Sequence, residues 1–363
     1  MKKWHVEIEG MPEFDKSMER IEAWFAHEIV DRAPIRFFDV LHPISAGKTL
    51  PSKQWATFKD MWYDFDYILD AYLYSLEGRK FYGESFPIFY PNLGPGIYAS
   101  FYGGELNFGQ TTSWTAPILK EAGEAAQLKL DWNNRYLKAI DEFTDKALEC
   151  CDGKFLVGYT DLHPGADCVA DWIDPQELCF QLMDNPEGVK IAVDKAEEDF
   201  EAIYSHFDDK LKASGQLSVS WLGVPSFGRM HIPSCDFSSM ISGDAFREFC
   251  LPAARREMTT MTYNVWHLDG PGCARHVDDL LAIKEIQAIQ WVQGSGDDWP
   301  ILQWIPLLKK IQTAGKSLIV TMGRDEFEPF LDAMSPKGIF ISTVAEDDED
   351  AKAMIEKVEK WSK

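Results

Sequence analysis

The chain of 363 residues lacks several features that would assign it to a common class of protein. No apolar run approaches the ~18 residues that a membrane span requires. Residues 1–7 lack the apolar core of a signal peptide, so a cytoplasmic protein is expected. No G-x-G-x-x-G turn occurs, which disfavours a dinucleotide-binding sheet. The seven cysteines are odd in number and include no C-x-x-C pair, which favours reduced thiols over disulfides or a zinc ribbon.

Positive charge is also scarce. The chain has 36 Lys+Arg against 59 Asp+Glu, which gives a formal net charge of -23. Such a field repels phosphate backbones and anionic membrane surfaces, so neither nucleic acid nor a membrane is expected as a partner. The expected ligand is a small molecule, and a highly anionic one would need a local basic pocket.

From residue 86 onward, short β-branched or aromatic segments alternate with longer helical patterns, as βα units do. Eight segments are predicted to be strands: residues 87–90, 155–159, 217–221, 230–235, 263–267, 288–292, 317–322 and 338–342. This count predicts an α/β protein with a (β/α)8 TIM barrel over residues 86–363. Residues 1–85 are predicted to form a helical N-terminal extension packed on the barrel. The many aromatic residues of that extension could also form the interface of a homo-oligomer.

The most informative segment is W-H-L-D-G-P-G at residues 266–272, where a predicted strand runs into a turn. Residues i and i+2 of a strand point to the same side, so His267 and Asp269 are expected to converge. A histidine beside a carboxylate suits acid–base chemistry or metal binding. The alternative is a histidine packed under the turn, with Asp269 capping the next helix.

Other predicted strands also end in polar residues, and in a barrel these ends share one face. Asp161, His163 and Asp236 are therefore candidate catalytic groups together with His267 and Asp269. His267, Asp269 and Cys235 could bind zinc with one position open. The alternatives are that Cys235 is a small buried apolar residue and that Asp161 and His163 cap the following helix.

A second set of residues could contact the substrate. Tryptophans near the strand ends suit a flat or sugar-like ligand, although core packing explains them equally well. Arg324 could hold a substrate carboxylate, or it could pair with Asp325 or Glu326. The candidate substrate-binding residues are Trp221, Trp266, Gln290, Trp291, Gln293 and Arg324.

Several segments resemble the uroporphyrinogen decarboxylase superfamily, in particular its methyltransferase-like and uncharacterised branches. The matching segments are residues 89–99, 184–189, 235–242 with 246–249, 267–272 and 289–294. The resemblance covers about residue 85 to the end of the chain and implies a (β/α)8 barrel with a deep cleft. For the methyltransferases it also implies a corrinoid-bound methyl group, which a partner protein would supply.

Two departures from the family pattern matter. The arginine-rich segment that true decarboxylases use for propionate groups is missing, which disfavours porphyrinogen decarboxylation. The methyltransferases of the superfamily bind zinc through an H-x-C motif and a later cysteine. Here the H-x-C position is His267-Leu268-Asp269, and no cysteine follows Cys273 that could be the later ligand. A harder His/Asp/water site, or none, therefore fits better than a thiolate-rich one. Metal-assisted methyl transfer is the leading hypothesis. The alternatives are carboxylate-driven glycoside hydrolysis or lyase chemistry, and a barrel that only binds a ligand.

Overall fold

The structure, a computed structural model, describes residues 8–40 and 50–363, except for the side chains of residues 39 and 40. Residues 1–7, which are not expected to form the core of a signal peptide, lie outside the described residues. The described strands are β1 Ile35–Val40, β2 Ile88–Phe89, β3 Leu106–Phe108, β4 Ser113–Thr115, β5 Leu156–Val157, β6 Met230–His231, β7 Tyr263–Asp269, β8 Ala288–Val292, β9 Ser317–Thr321 and β10 Ile339–Ala345.

Helices fill most of the intervals between the strands. They are α1 Phe14–Phe25, α2 Phe58–Trp62, α3 Phe65–Leu76, α4 Ile97–Ser100, α5 Arg135–Cys150, α6 Gly165–Ile173, α7 Pro175–Asp184, α8 Pro186–Glu198, α9 Phe200–Ala213, α10 Gly243–Ala245, α11 Leu251–Met258, α12 Gly270–Ala274, α13 Val277–Leu281, α14 Ile305–Thr313, α15 Phe327–Ala333 and α16 Asp348–Trp361. Among the described residues, no helix combines the length and the apolar character that crossing a bilayer demands.

A six-stranded parallel sheet in the order β1-β10-β9-β8-β7-β6 organises the fold. Strands β2 and β5 form a separate parallel pair, and β3 and β4 form an antiparallel pair. The predicted strand at residues 217–221 is not a regular strand, but it contacts the residues that follow β5: Tyr159 N donates to Val219 O, and Ser220 Oγ donates to Tyr159 O, both at 2.9 Å. The α/β class and the TIM-barrel-like architecture are confirmed. The described strands form a curled sheet with short companions, rather than eight strands in one closed barrel.

The main sheet includes a strand that the sequence did not indicate. Strand β1 lies within the segment predicted to be helical, and it pairs with β10 through the register Ile35↔Ile341. Its pairing partner lies about 300 residues further along the chain, so no local pattern reveals the contact. Residues 1–85 therefore supply both helices and an edge strand of the sheet. The division at residue 85 stays a prediction.

Helix α1 covers the sheet at the amino ends of its strands. The indole Nε1 of Trp24 donates to the carbonyls of Leu318 and Gly338, both at 3.1 Å. Phe25 stacks on Tyr263 with ring centroids 4.1 Å apart. Because α1 occupies the amino ends, the carboxyl ends are left for function, as in barrel enzymes.

Candidate active site

Strand β7 brings the central histidine and carboxylate together. Its buried side chains Trp266 and Leu268 join the large core, while His267 and Asp269 point to the other side. Asp269 precedes α12 but makes no side-chain capping bond, so the capping alternative is wrong. The convergence predicted from the H-x-D spacing is confirmed, since both residues offer ligand atoms within 4.8 Å of each other.

Asp236 completes a group of three. It begins a 3₁₀ turn over Asp236–Met240, and its Oδ1 lies 4.0 Å from Nε2 of His267. The ligand atoms of Asp236, His267 and Asp269 all lie within 4.8 Å of one another. One imidazole and two carboxylates with open solvent around them suit a divalent metal that keeps exchangeable positions. The residues present therefore fit a metal ion.

Cys235 does not belong to this group among the described residues, which corrects the predicted ligand set. Its side chain is buried. A hydrogen bond with Cys250, followed by burial, raises the pKa of the Cys235 thiol well above its ordinary value. The alternative expectation, a small buried residue, is the one that the structure supports.

The ring of His267 is held in one orientation. Its Nδ1 lies 2.7 Å from Oε1 of Gln290 on the neighbouring strand β8. Since a carbonyl oxygen accepts, Nδ1 donates to Gln290, and Nε2 is the ring nitrogen that faces Asp236. The ring of Trp221 stands edge-on to His267, with centroids 5.2 Å apart. Gln290 and Trp221 thus orient the imidazole.

Replacing Gln290 by methionine is expected to weaken metal binding by about 10- to 100-fold, because the imidazole loses the acceptor that fixes its tautomer. Titration of Zn²⁺ against a competing chelator measures this change. Gln293→Met is the matched control, because the Gln293 amide bonds only to the carbonyls of Trp299 and Thr321 among the described residues. Equal zinc affinity in wild type and Gln290→Met would contradict the orienting role.

A second polar cluster lies beside the first. Nε2 of His163 lies 2.7 Å from Oδ1 of Asp161, and its Nδ1 lies 2.8 Å from the hydroxyl of Ser234. That hydroxyl donates to Oδ2 of Asp167 at 3.0 Å. Asp167 also accepts from the backbone N–H of Asp236, at 3.0 Å. Asp167 therefore ties this second cluster to the metal-binding group.

Neither Asp161 nor His163 caps the following helix. Helix α6 begins after Pro164, which has no side-chain cap. The capping alternative is therefore wrong, and both residues face the cluster instead.

Close packing of these charges shifts their pKa values. Burial alone would lower the pKa of His163, but the charge and contact of Asp161 outweigh it and raise the pKa to about 9. Burial and the neighbouring Asp167 raise the pKa of Asp171 to about 7 and that of Asp236 to about 6. At neutral pH the site thus holds one imidazolium and two carboxyl groups poised to exchange protons.

A cavity of about 360 Å³ opens over this cluster. His163, Asp167, Asp171 and Asp236 line its polar side. Trp114, which is 53% exposed, and Met240 contribute apolar surface. Asp236 belongs both to this cavity and to the metal-binding group, so a ligand in the cavity would lie next to the metal position.

The raised pKa of His163 predicts how stability changes with pH in the metal-free protein. A group whose folded pKa lies above its unfolded pKa stabilises fully below the unfolded value, and this stabilisation is lost as pH rises through the folded one. For His163 the loss extends from about pH 6.5 to 9, and it reaches about 3 kcal/mol. We expect the melting temperature to fall over this range and His163→Gln to flatten the fall. If the melting temperatures of the wild type and His163→Gln fall equally with pH, the protonation of His163 does not contribute to the pH dependence of stability.

The remaining predicted substrate-binding residues do not gather at the site. Trp266 and Trp291 are buried in the core. Gln293 bonds to backbone carbonyls. Arg324 forms a bidentate ion pair with Asp350, at 2.8–3.2 Å, rather than with Asp325 or Glu326. Because its guanidinium already pairs with Asp350, Arg324 is not a candidate for binding a substrate carboxylate.

Sequence reasoning missed two carboxylates of the cavity. Asp167 and Asp171 lie four residues apart in α6, on one face of the helix. This i,i+4 pair directly follows the predicted strand end at residues 160–163, and that position is a signal that could have indicated them. This signal was not distinctive, because the chain has a large excess of acidic residues and acidic residues on a helix usually face solvent.

Comparison with known proteins yields a similarity of fold. No protein-family model and no curated protein sequence matches the chain. Among solved structures, a methyltransferase from Methanosarcina mazei superposes with a TM-score of 0.59 at 12% sequence identity. The match covers 96% of this chain and 99% of that protein. At this identity the similarity concerns the fold, and it extends over almost the whole chain.

Proposed function

We propose that the protein is an enzyme that transfers a methyl group to or from a small molecule with the help of a divalent metal. The observation that carries this proposal is the group of Asp236, His267 and Asp269 at the carboxyl end of β7. The fold of the Methanosarcina mazei methyltransferase supports the choice of methyl transfer. The superfamily resemblance of residues 267–272 agrees with it.

His267, Asp236 and Asp269 would hold the metal, with zinc as the first candidate. A bound zinc ion would supply Lewis acidity and lower the pKa of the group that it activates. Gln290 accepts a hydrogen bond from Nδ1 of His267, which leaves Nε2 as the ring nitrogen that would face the metal. Asp171, whose pKa is about 7, can take up a proton near neutral pH, while the imidazolium of His163 stabilises negative charge.

The methyl donor is proposed to be a corrinoid carried by a partner protein. We also propose that the protein is cytoplasmic and forms a homo-oligomer. We propose that it has neither nucleic-acid nor membrane partners. Several aromatics of the N-terminal segment that could mediate self-association pack within the chain. Trp62, for example, donates to the carbonyl of Gly109 at 2.9 Å.

Metal removal tests the proposal. We expect dipicolinate treatment to abolish demethylation of methylcobalamin in the presence of a panel of small thiols and amines, and added Zn²⁺ or Co²⁺ to restore it. Elemental analysis should find about one metal per chain, and none in Asp269→Asn. Demethylation that persists without metal would overturn the metal-assisted mechanism, and its absence under every condition would overturn methyl transfer.

A second candidate is carboxylate-driven glycoside hydrolysis or lyase chemistry. Asp236, with a pKa of about 6, could act as an acid, and an oxygen of Asp269 lies within 4.8 Å of it. That separation is near the ~5–5.5 Å of retaining glycosidases. Only Trp221 of the three predicted tryptophans lies beside His267, so the aromatic cleft is smaller than expected. Cleavage of aryl glycosides that survives dipicolinate would favour this candidate.

A further inference from the structure

Arg36 is a cation on the inner face of the main sheet, the face that carries Val265, Ala288, Ile319 and Phe340. Its Nε donates to the hydroxyl of Ser342 at 2.7 Å, and its Nη1 donates to the carbonyl of Leu222 at 2.5 Å. The guanidinium lies over the ring of Phe340, 5.4 Å from the centroid. All of these partners are neutral.

The two fully buried arginines among the described residues are paired with acids. Arg20 bonds to Asp31 and Glu84, and Arg32 bonds to Glu84 through both of its terminal nitrogens. No carboxylate of the described side chains lies within ion-pair distance of Arg36. Burial, with no acid to offset it, lowers the pKa of Arg36 to about 10, so it remains charged at neutral pH. A partly buried cation without a counter-ion is costly, and a ligand anion would offset that cost.

Arg36 is linked to the metal-binding group through residues 221 and 222. Its acceptor Leu222 directly follows Trp221, whose ring contacts the imidazole of His267. Space beside the guanidinium is kept by Gly223, which adopts a left-handed φ of +71°. A Cβ on that residue would lie 3.3 Å from Nη1 of Arg36. A larger residue at this position would therefore crowd the guanidinium.

We propose that Arg36 anchors a carboxylate of the small-molecule substrate, so that the substrate class is a carboxylate-bearing one. This inference rests on the proposed function, because it assumes that the group at His267 is the reacting centre. Arginine presents paired N–H donors that match the two oxygens of a carboxylate. Both N–H groups on Nη2 lack a partner among the described side chains. In a chain of net charge -23, a local cation of this kind is what an anionic substrate would require.

Direct binding of propionate tests the anchor without metal, methyl donor or turnover. In ligand-observed NMR titrations, we expect the wild type to bind propionate at least 10-fold more tightly than propionamide. Arg36→Met is expected to weaken propionate binding by about 10- to 100-fold. Arg36→Lys should retain part of the affinity, because lysine keeps the positive charge but lacks the paired N–H donors of the guanidinium.

Arg324→Met is the matched control, since that arginine already has Asp350 as its partner; propionate affinity should stay within about twofold of the wild type. The proposal is overturned if Arg36→Met, or Arg36→Lys in case the first variant does not fold, binds propionate as the wild type does. It is also overturned if propionamide binds as tightly as propionate.

Failure of the proposed function would look different. Propionate binding that depends on Arg36, in a protein without metal-dependent demethylation, would contradict methyl transfer and leave the anion site standing. Conversely, demethylation whose KM and kcat are unchanged in Arg36→Met would contradict the anchor and leave methyl transfer standing. In the supporting case, Arg36→Met raises KM for carboxylate-bearing acceptors more than it lowers kcat.

Discussion

The His267→Ala variant is expected to lose its metal and to lower turnover by more than about 100-fold. His267 is the one nitrogen ligand of the group, and Gln290 orients it from the neighbouring strand. Without it, two carboxylates remain at the rim, and two oxygens hold zinc weakly. Elemental analysis and the methylcobalamin assay measure the two effects on the same sample.

A matched histidine outside the site controls for general effects of the substitution. His206 pairs with Asp141 at 2.8 Å on the helical surface, so His206→Ala should leave metal content and turnover unchanged. If His267→Ala keeps its metal and its turnover, the proposed centre is wrong. If it loses metal but keeps turnover, the ion has a structural role, and the reacting groups lie elsewhere.

The Glu84→Ala variant is expected to lower the free energy of unfolding by about 3–5 kcal/mol. Glu84 is fully buried and accepts hydrogen bonds from Arg20, from Arg32 and from the backbone N–H of Ile35 at 2.8–3.1 Å. Its loss leaves the guanidinium of Arg32 without an acid in a dry environment. The cost is large because the desolvation of that cation is then no longer compensated.

Chemical denaturation followed by far-UV circular dichroism measures this loss. The control is Glu187→Ala, because Glu187 is 81% exposed and pairs with Lys190 in a surface i,i+3 contact. Surface pairs of this kind contribute at most about 1 kcal/mol. A Glu84→Ala protein that is as stable as Glu187→Ala would show that the buried network does not hold β1 to the core.

Several elements could be predicted because their signals are local. Strand β8 has the predicted bounds, and β7 carries the H-x-D pair on one side. Period-two and helical patterns report burial within a few residues, so they survive in the sequence alone. The edge strand β1 was missed because its partner β10 lies at the other end of the chain.

The candidate site shows the same division. His267 and Asp269 were found because two residues of one strand specify their own geometry. Asp236 was named as a catalytic group but not as a ligand. Its approach to His267 depends on where its 3₁₀ turn lies against β7. Cys235, one position earlier, was predicted as a ligand because thiolates commonly bind zinc, but its side chain is buried in the core.

By itself, the sequence determined the α/β class, the order of most elements, the acidic character and the residues able to bind a metal. Only the tertiary structure decided which of them meet. Arg324 pairs with Asp350, Arg36 donates to Ser342 on the neighbouring strand, and Gln290 accepts from Nδ1 of His267. These choices join residues that are 23 or more positions apart in the chain. Their contacts depend on the packing of whole strands and helices, which no local pattern encodes.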